Sequence, residues 1–187
     1  MPHLVLVRHS IPILEENVPP NQWRLSEAGK AAALALAQKL ASYSLDIIIT
    51  SVERKAQETA VILAEELGVV WQTAPDLHEH ERAAGPLGTR EEFTAAVEAL
   101  FSHPDELVMG LETAHQTLAR YAAGVENVLA AHPDQTVAIV SHGTVMALYI
   151  AQQTGCDGLQ LWQSLGLPTA IVLDRQAARI IKIIANE

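Results

Sequence analysis

The stretch LVLVRHS, from Leu4 to Ser10, decides the fold, because a run of four apolar residues ends abruptly in an arginine and a histidine. Such a short apolar run predicts a strand that is buried on both faces, as the strands of a parallel sheet are. Open α/β sheets bind their ligands outside the carboxyl ends of these strands. The sequence therefore puts Arg8 and His9 where a ligand site is expected.

Beyond this stretch, strand and helix patterns alternate along the chain, which is typical of a parallel sheet covered by helices. LDIIITS (residues 45–51) predicts a second buried strand, and a helix with Ser51 as its cap is expected to follow from about residue 52 to residue 67. The stretch TVAIVSHG (residues 136–143) has the same pattern as the opening stretch, a buried strand that ends abruptly in a histidine. Residues 169–185 predict a closing hairpin at a sheet edge. We expect an α/β fold, a three-layer sandwich with a mostly parallel central sheet flanked by helices.

Length and composition favour a single domain over residues 1–187. A chain of 187 residues, 49% of them hydrophobic, is long enough for one proper core and too short for two comfortable ones. Residues 75–110 lack clear strand character apart from one helical patch near residues 91–101, so this segment is predicted to be a small cap-like insertion.

The charge balance limits the partners of the protein. Twelve basic and 22 acidic side chains give a formal net charge of -10, which disfavours nucleic acid and anionic membrane surfaces. The single cysteine, Cys156, excludes an internal disulfide framework and a cysteine zinc site. No signal-like start and no apolar run of about 18 residues is present, so a cytoplasmic protein is expected. A homodimer is compatible with the sequence, which does not specify an oligomeric state.

Three predicted strand ends carry chemically useful side chains: Arg8 with His9, then Arg54, then His142. Arg54 would lie in the first turn of its helix, where the helix dipole disfavours a cation. A bound anion would reverse that preference, because it interacts favourably with both the helix N-terminus and the guanidinium. The motif SHGT likewise indicates an anion site at the start of a second helix, where Gly143 would allow the backbone to approach a ligand closely.

These motifs resemble those of the histidine phosphatase superfamily, the phosphoglycerate-mutase-like family. Its pattern is a strand ending in Arg-His-Gly, then Ser-x-x-Arg-x-x-x-x-Thr-Ala, an acidic residue in an insertion, and a late Ser-His-Gly. This chain has VRHS, SVERKAQETA and VSHGT in that order, with subsidiary matches in WRLSEAG and GLETAHQTLAR. The resemblance covers nearly the whole chain and implies a phosphoglycerate-mutase-like fold.

The resemblance also implies roles for individual residues. His9 would be the nucleophile that takes a phosphoryl group and passes it to water, while Arg8, Arg54 and His142 would hold the phosphoryl oxygens. A leaving alkoxide needs a proton, and the Leu-x-Glu pattern of the family falls on Glu79, with Glu81 as the nearest rival. The pKa of that acid must be raised for it to keep its proton. The family mechanism needs neither a metal ion nor a cofactor.

Two residues depart from the family pattern. Ser10 replaces the glycine after the histidine, and its hydroxyl is a candidate to bind phosphate. Glu15 stands where mutase-like members have asparagine, and with Glu16 it makes this loop less favourable for a multiply charged phosphoglycerate. Hydrolysis is therefore favoured over phosphoryl transfer between metabolites.

The leading hypothesis is a metal-independent phosphatase of the histidine acid type, a phosphoric monoester hydrolase that uses a phosphohistidine on His9 and takes a small phosphorylated substrate or inorganic phosphate. A phosphoglycerate-mutase-type phosphotransferase or a protein phosphohistidine phosphatase is the alternative, and a non-catalytic module that binds phosphorylated ligands is a further one. HEHE, residues 78–81, also suggests zinc or manganese, although no further histidine cluster supports this. Arg120 is interpreted as a structural or exposed helix residue.

Overall fold

The structure is a computed structural model that describes residues 2–82 and 88–185. Within these ranges no helix is both long enough and apolar enough to cross a bilayer. The strands are β1 (His3–Arg8), β2 (Ile47–Thr50), β3 (Val70–Thr73), β4 (Val137–Ser141), β5 (Thr169–Asp174) and β6 (Arg179–Ala185). The α-helices are α1 (Glu27–Leu40), α2 (Arg54–Leu67), α3 (Arg90–Ser102), α4 (Ala114–Ala131), α5 (Gly143–Thr154) and α6 (Gly158–Ser164).

The six strands form one sheet in the order β3-β2-β4-β1-β5-β6. The pairs β3–β2, β2–β4 and β4–β1 are parallel, whereas β5 pairs antiparallel with both β1 and β6. The mostly parallel sheet predicted from the sequence is confirmed, and so is the closing hairpin at its edge. β1 and β4 lie in the middle of the sheet, so two of the motif-bearing strands are direct neighbours.

Helices cover both faces of the sheet, and each face has its own hydrophobic core. Leu4 and Leu6 of β1 pack toward residues of α4, α5 and α6, whereas Val5 and Val7 pack toward residues of α1 and α2. All four side chains are at most 3% exposed. Burying each of them stabilises the fold by about 1.5–3 kcal/mol. The three-layer sandwich is therefore confirmed, and the opening strand is anchored from both sides.

The start of α2 differs from the prediction. The helix begins at Arg54, Glu53 is its N-cap residue without a side-chain cap bond, and Val52 is 55% exposed outside the helix. Ser51 does not cap the helix, because its Oγ accepts instead from the backbone N–H of Glu53 at 3.2 Å. Residues 51–53 stay non-helical and turn the side chains of Ser51 and Glu53 into the protein interior, where both are buried.

Within residues 75–110 the structure describes residues 75–82, which are irregular, and residues 88–110, which contain α3 followed by a second irregular stretch. α3 packs against α6, with the rings of Phe93 and Trp162 6.0 Å apart between centroids. The helix predicted near residues 91–101 is thus present, while residues 83–87 lie outside the described residues. That this segment covers a ligand site stays a prediction.

Candidate active site

The carboxyl ends of β1, β2 and β4 meet at one edge of the sheet. Arg8 is in register with Ser141, and Thr50 is in register with Val140. The backbone continues this pairing past the strand ends, because the His9 N–H donates to the Ser141 carbonyl at 2.9 Å. His9 and His142 are therefore brought together, with ring centroids 5.2 Å apart in an edge-to-face arrangement.

The His9 ring is buried and held in one orientation. Its Nδ1 lies 2.7 Å from the backbone carbonyl of Ser10, and a carbonyl oxygen can only accept, so this bond puts the proton on Nδ1. Burial and the nearby His142 and Lys55 hold the pKa of His9 well below its ordinary value. The imidazole is therefore neutral near pH 7, with Nε2 as its nucleophilic nitrogen.

His142 lies at the start of α5 and is fully buried. Its Nε2 is 2.9 Å from the Ser51 Oγ, while its Nδ1 has no hydrogen-bond partner among the described residues. Burial, together with Lys55, holds the pKa of His142 well below its ordinary value, although Glu79 opposes this shift. An unpaired buried ring nitrogen beside His9 is suited to a ligand oxygen.

Arg8 supplies one cation of the site. Its Nη1 donates to the backbone carbonyl of Leu165, whereas its buried Nε has no partner among the described residues. A Cβ added to Gly143 would lie 3.0 Å from this Nε, so a larger residue there would have to displace the guanidinium by a few tenths of an ångström. Burial lowers the pKa of Arg8 and Glu79 partly offsets this, but a guanidinium remains charged in either case.

Lys55 supplies the second cation, and sequence reasoning missed it. Its side chain is 6% exposed, and its ammonium donates to the Glu53 carboxylate and to the Pro20 carbonyl, the latter at 2.8 Å. Its charge acts on both His9 and His142. The signal that could have found it is helical spacing, because Lys55 lies one turn before the buried Thr59 on the inward face of α2.

Arg54 is not brought to this cluster. Its side chain is 57% exposed, and its Nε donates to Glu58 at 2.8 Å on the surface of α2. It lines a surface cavity that contains none of the site residues, together with Arg24, Leu25, Lys30, Glu58 and Ile62. Consecutive residues of a helix point about 100° apart. The sequence-based prediction assigns the phosphate-binding cation to Arg54, which faces outward, whereas the next residue, Lys55, faces inward.

The Glu79 carboxylate lies at the N-terminus of α5. From the sequence, this residue is expected to be the acid that protonates the leaving alkoxide. It accepts from the backbone N–H groups of Thr144 at 3.2 Å and Val145 at 3.3 Å, and from that of His80 at 2.9 Å. Burial favours a raised pKa, but His142, Arg82 and these N–H donors outweigh it and lower the pKa of Glu79. These contacts therefore favour the ionised form of this carboxyl, opposite to the raised pKa expected of a proton donor.

Glu81, the rival acid, is placed differently. Its carboxylate lies 3.2 Å from His78 Nε2, and its side chain is 50% exposed. Its own backbone N–H donates to the Glu112 carboxylate at 2.9 Å. Of the two candidates, the structure brings Glu79 and not Glu81 to His142.

Arg120 holds the loop that carries Glu79. Its Nη1 donates to the carbonyls of Asp76 and His78, each at 3.0 Å, and its Nη2 donates to the carbonyl of Glu79 at 3.2 Å. The Glu112 carboxylate accepts from Nη2 at 2.6 Å and from Nε at 3.2 Å. All of these donors serve the protein itself, in keeping with the structural interpretation of Arg120.

Ser10 is used differently from the expectation that its hydroxyl binds phosphate. Its Oγ donates to the Gly29 carbonyl at 2.6 Å, and its N–H donates to Thr59 Oγ1 at 3.0 Å. A Cβ on Gly29 would lie 2.1 Å from the Ile11 carbonyl, so the loop after β1 packs directly on α1. The hydroxyl proton is thus committed to this packing contact rather than offered to a ligand.

The HEHE stretch does not form a metal-ligand cluster. His80 is buried with Nε2 2.9 Å from the Glu112 carbonyl, while His78 pairs with Glu81. Over residues 2–82 and 88–185, no three His, Cys, Asp or Glu side chains are arranged to hold a metal ion. The donor set at this stretch therefore does not fit the zinc or manganese suggested by its sequence.

The combination defines the class of site: a neutral imidazole, a half-buried arginine, a buried lysine, a second imidazole and a carboxylate at a helix N-terminus. Such a set is suited to phosphoryl chemistry, in which charge on the transferred group must be stabilised. The sequence profile of the histidine phosphatase superfamily (branch 1) matches residues 4–177. The chain belongs to this superfamily.

Relatives agree with this placement. The chain is 27% identical over 133 residues to a protein named uncharacterized phosphatase PhoE of Bacillus subtilis, a match that covers 71% of this chain and 66%, just under two thirds, of that relative. Mycobacterial glucosyl-3-phosphoglycerate phosphatase in complex with inorganic phosphate has the same fold, with a TM-score of 0.72, 23% identity and coverage of 100% and 96% of the two chains. Bacillus stearothermophilus YhfR also has this fold, with a TM-score of 0.74 and 23% identity, and the match covers 97% of this chain and 96% of that protein.

Proposed function

We propose that the protein is a metal-independent phosphatase that hydrolyses a small phosphomonoester through a phosphohistidine on His9. The observation that carries this proposal is the bond from His9 Nδ1 to the Ser10 carbonyl, because it leaves Nε2 of the neutral ring unprotonated within the electrostatic reach of Arg8 and Lys55. Membership of the superfamily and the phosphate complex of a mycobacterial relative support it.

In the first step, Arg8, Lys55 and His142 bind the phosphoryl oxygens, and the Nε2 lone pair of His9 attacks phosphorus. The P–N bond forms as the P–O bond to the alcohol breaks, and the leaving alkoxide takes a proton. Splitting one displacement into two lowers the barrier of each. Charge developing on the phosphoryl group is stabilised by donors that are already in place.

Glu79 is the proposed proton donor for the leaving alkoxide. The surrounding protein groups lower its pKa, but a bound phosphoryl dianion is a like charge and shifts the pKa of a neighbouring carboxyl upward. Substrate binding would thus load the proton that the first step consumes. In the second step the resulting carboxylate takes a proton from water, which attacks phosphorus and frees His9 as inorganic phosphate forms.

Hydrolysis is preferred to a mutase-type transfer because of the loop after His9. Glu15, which stands at the asparagine position of mutases, forms an ion pair with Arg24 at 3.1 Å, and the exposed Glu16 beside it leaves a net negative charge in this loop. A phosphoglycerate carries several negative charges, so this loop does not favour it. The substrate class, the cap role of residues 75–110, a cytoplasmic location and a homodimer stay predictions.

A panel of phosphate esters tests the proposal. Sugar, glycerate, nucleotide and amino-acid phosphates, a phosphohistidine peptide and p-nitrophenyl phosphate are each incubated with and without EDTA. We expect release of inorganic phosphate at the same rate with the chelator. Phosphoryl exchange between glycerate positions without phosphate release would favour the mutase instead. Binding of vanadate without turnover of any ester would favour a non-catalytic module.

A further inference from the structure

The site contains a second carboxylate, Glu53, which is buried and to which the proposed mechanism gives no role. It precedes α2 directly, and its side chain is 8% exposed. Carboxylates are rarely buried this deeply unless they are paired. The contacts of Glu53 therefore indicate its role in the pocket.

Glu53 touches three components of the phosphate site. Its Oε2 accepts from the Lys55 ammonium. Its Oε1 accepts from the Glu79 backbone N–H at 2.9 Å and lies 3.5 Å from His142 Nε2. One carboxylate thus connects a phosphate-binding cation, the second imidazole and the loop of the proton donor.

Glu53 also changes the net charge of the pocket. Arg8 and Lys55 contribute two positive charges, and Glu53 and Glu79 contribute two negative ones. The groups that face this cluster from β1, α2, α5 and the loop after β3 are Arg8, His9, Lys55, His78, Glu79, Arg82 and His142. With both site imidazoles neutral, the four innermost charges cancel, which is unusual for a pocket that takes a dianion.

Lys55 can serve Glu53 and a ligand together. An ammonium has three N–H donors, and two of them already go to Glu53 and to the Pro20 carbonyl. One donor remains for a phosphoryl oxygen. A bound phosphate therefore shares Lys55 with a carboxylate that repels it.

We propose that Glu53 is a positioning residue that acts as a built-in counter-ion: it holds Lys55 in place and competes with bound phosphate for that ammonium, so that the product leaves readily. The inference rests on the phosphate pocket of the proposed function. It assigns Glu53 no contact with the substrate, because Glu53 acts through Lys55 and His142.

The test is the dissociation constant of inorganic phosphate, measured by titration calorimetry near pH 8, where the ligand is mainly dianionic. Glu53→Gln removes the charge and keeps the shape, Glu53→Met removes the charge with an apolar side chain of similar volume, and Glu53→Asp keeps the charge. We expect phosphate to bind about tenfold more tightly to the two uncharged variants and within about threefold of wild type to Glu53→Asp. The product-inhibition constant should fall in parallel.

Thermal unfolding of each variant identifies those that fold, and one folded uncharged variant suffices for the comparison with Glu53→Asp. Unchanged or weaker phosphate binding in the uncharged variants would overturn the inference, and so would equal tightening in Glu53→Asp, because the effect would then follow shape and not charge. A wild type that binds phosphate and hydrolyses no ester would remove the proposed function and leave this binding test intact.

Discussion

The two ends of the sheet use arginine in opposite ways. At the amino end of β1, Arg175 donates to four backbone carbonyls, those of Leu129, His132, Pro133 and Gln135, at 3.2–3.4 Å. At the carboxyl end, Arg8 donates to one carbonyl and keeps a buried Nε without a partner among the described residues. An arginine whose donors are satisfied by the protein serves the fold, whereas one with spare buried donors is suited to a ligand.

Exchanging the two arginines for methionine should separate these roles most strongly. Arg8→Met is expected to lower kcat/KM by about 10³-fold, because an oxyanion donor and a charge are lost together. Arg175→Met should leave kcat/KM unchanged and lower the free energy of unfolding by about 0.5–1.5 kcal/mol, because four partly buried or exposed carbonyls lose their donor. Steady-state kinetics and urea unfolding of both variants measure the contrast. Equal loss of activity in the two would contradict it.

Neighbouring residues of α2 offer a second contrast. Lys55→Met should lower kcat/KM by about 10²-fold, because the inward cation contributes to binding of the phosphoryl group. Arg54→Met, one residue earlier, should change it by less than about twofold, because an exposed ion pair contributes little. The matched pair is assayed with p-nitrophenyl phosphate. The reverse ranking would restore Arg54 as the phosphate ligand.

The role of Glu79 can be tested through the leaving group. Glu79→Gln should lower kcat about 10²-fold for an alkyl phosphate, whose alkoxide needs a proton, and much less for p-nitrophenyl phosphate, whose phenolate does not. Glu81→Gln is the matched control and should behave like wild type with both esters. A uniform loss for both substrates in Glu79→Gln would instead indicate a binding role for this carboxylate.

The two buried histidines should make the fold sensitive to acid. Because burial lowers the pKa of His9 and of His142, the unfolded chain binds protons that the folded chain does not. Stability is therefore fully present above about pH 6.5, the ordinary pKa of histidine, and falls as the pH drops below it, by at most about 1.4 kcal/mol per pH unit for each histidine. Urea unfolding between pH 7 and pH 5 measures this slope.

His9→Asn should flatten that slope, whereas the same change at the exposed His103 should not. A slope that His9→Asn leaves untouched would mean that the folded protein accepts the proton at this position.

The fold could be predicted because it depends on patterns that local sequence carries. LVLVRHS, LDIIITS and TVAIVSHG are buried strands whose polar ends meet only if the strands are parallel neighbours. The same argument places His9 and His142 together. Glu79 was found by the family motif and not by any physical property of its own segment.

The remaining features of the site could not be predicted because they depend on three-dimensional detail. A difference of one residue decides whether Arg54 or Lys55 faces inward, and the actual start of α2 sets that rotation. The lowered pKa of Glu79 arises from N–H groups of α5, which is distant in sequence. The commitment of the Ser10 hydroxyl to Gly29 depends on how closely the loop after β1 packs on α1.

The central claim is that His9 carries the phosphoryl group, and trapping that intermediate tests it most directly. The enzyme is mixed with a rapidly turned-over phosphate ester, quenched in alkali, in which phosphohistidine survives, and its peptides are read by mass spectrometry. The account predicts a phosphoryl group on Nε2 of His9, none on the His9→Ala protein, and wild-type labelling when the exposed His103 is replaced by alanine. Phosphorylation of another residue, or hydrolysis by His9→Ala at the wild-type rate, would contradict it.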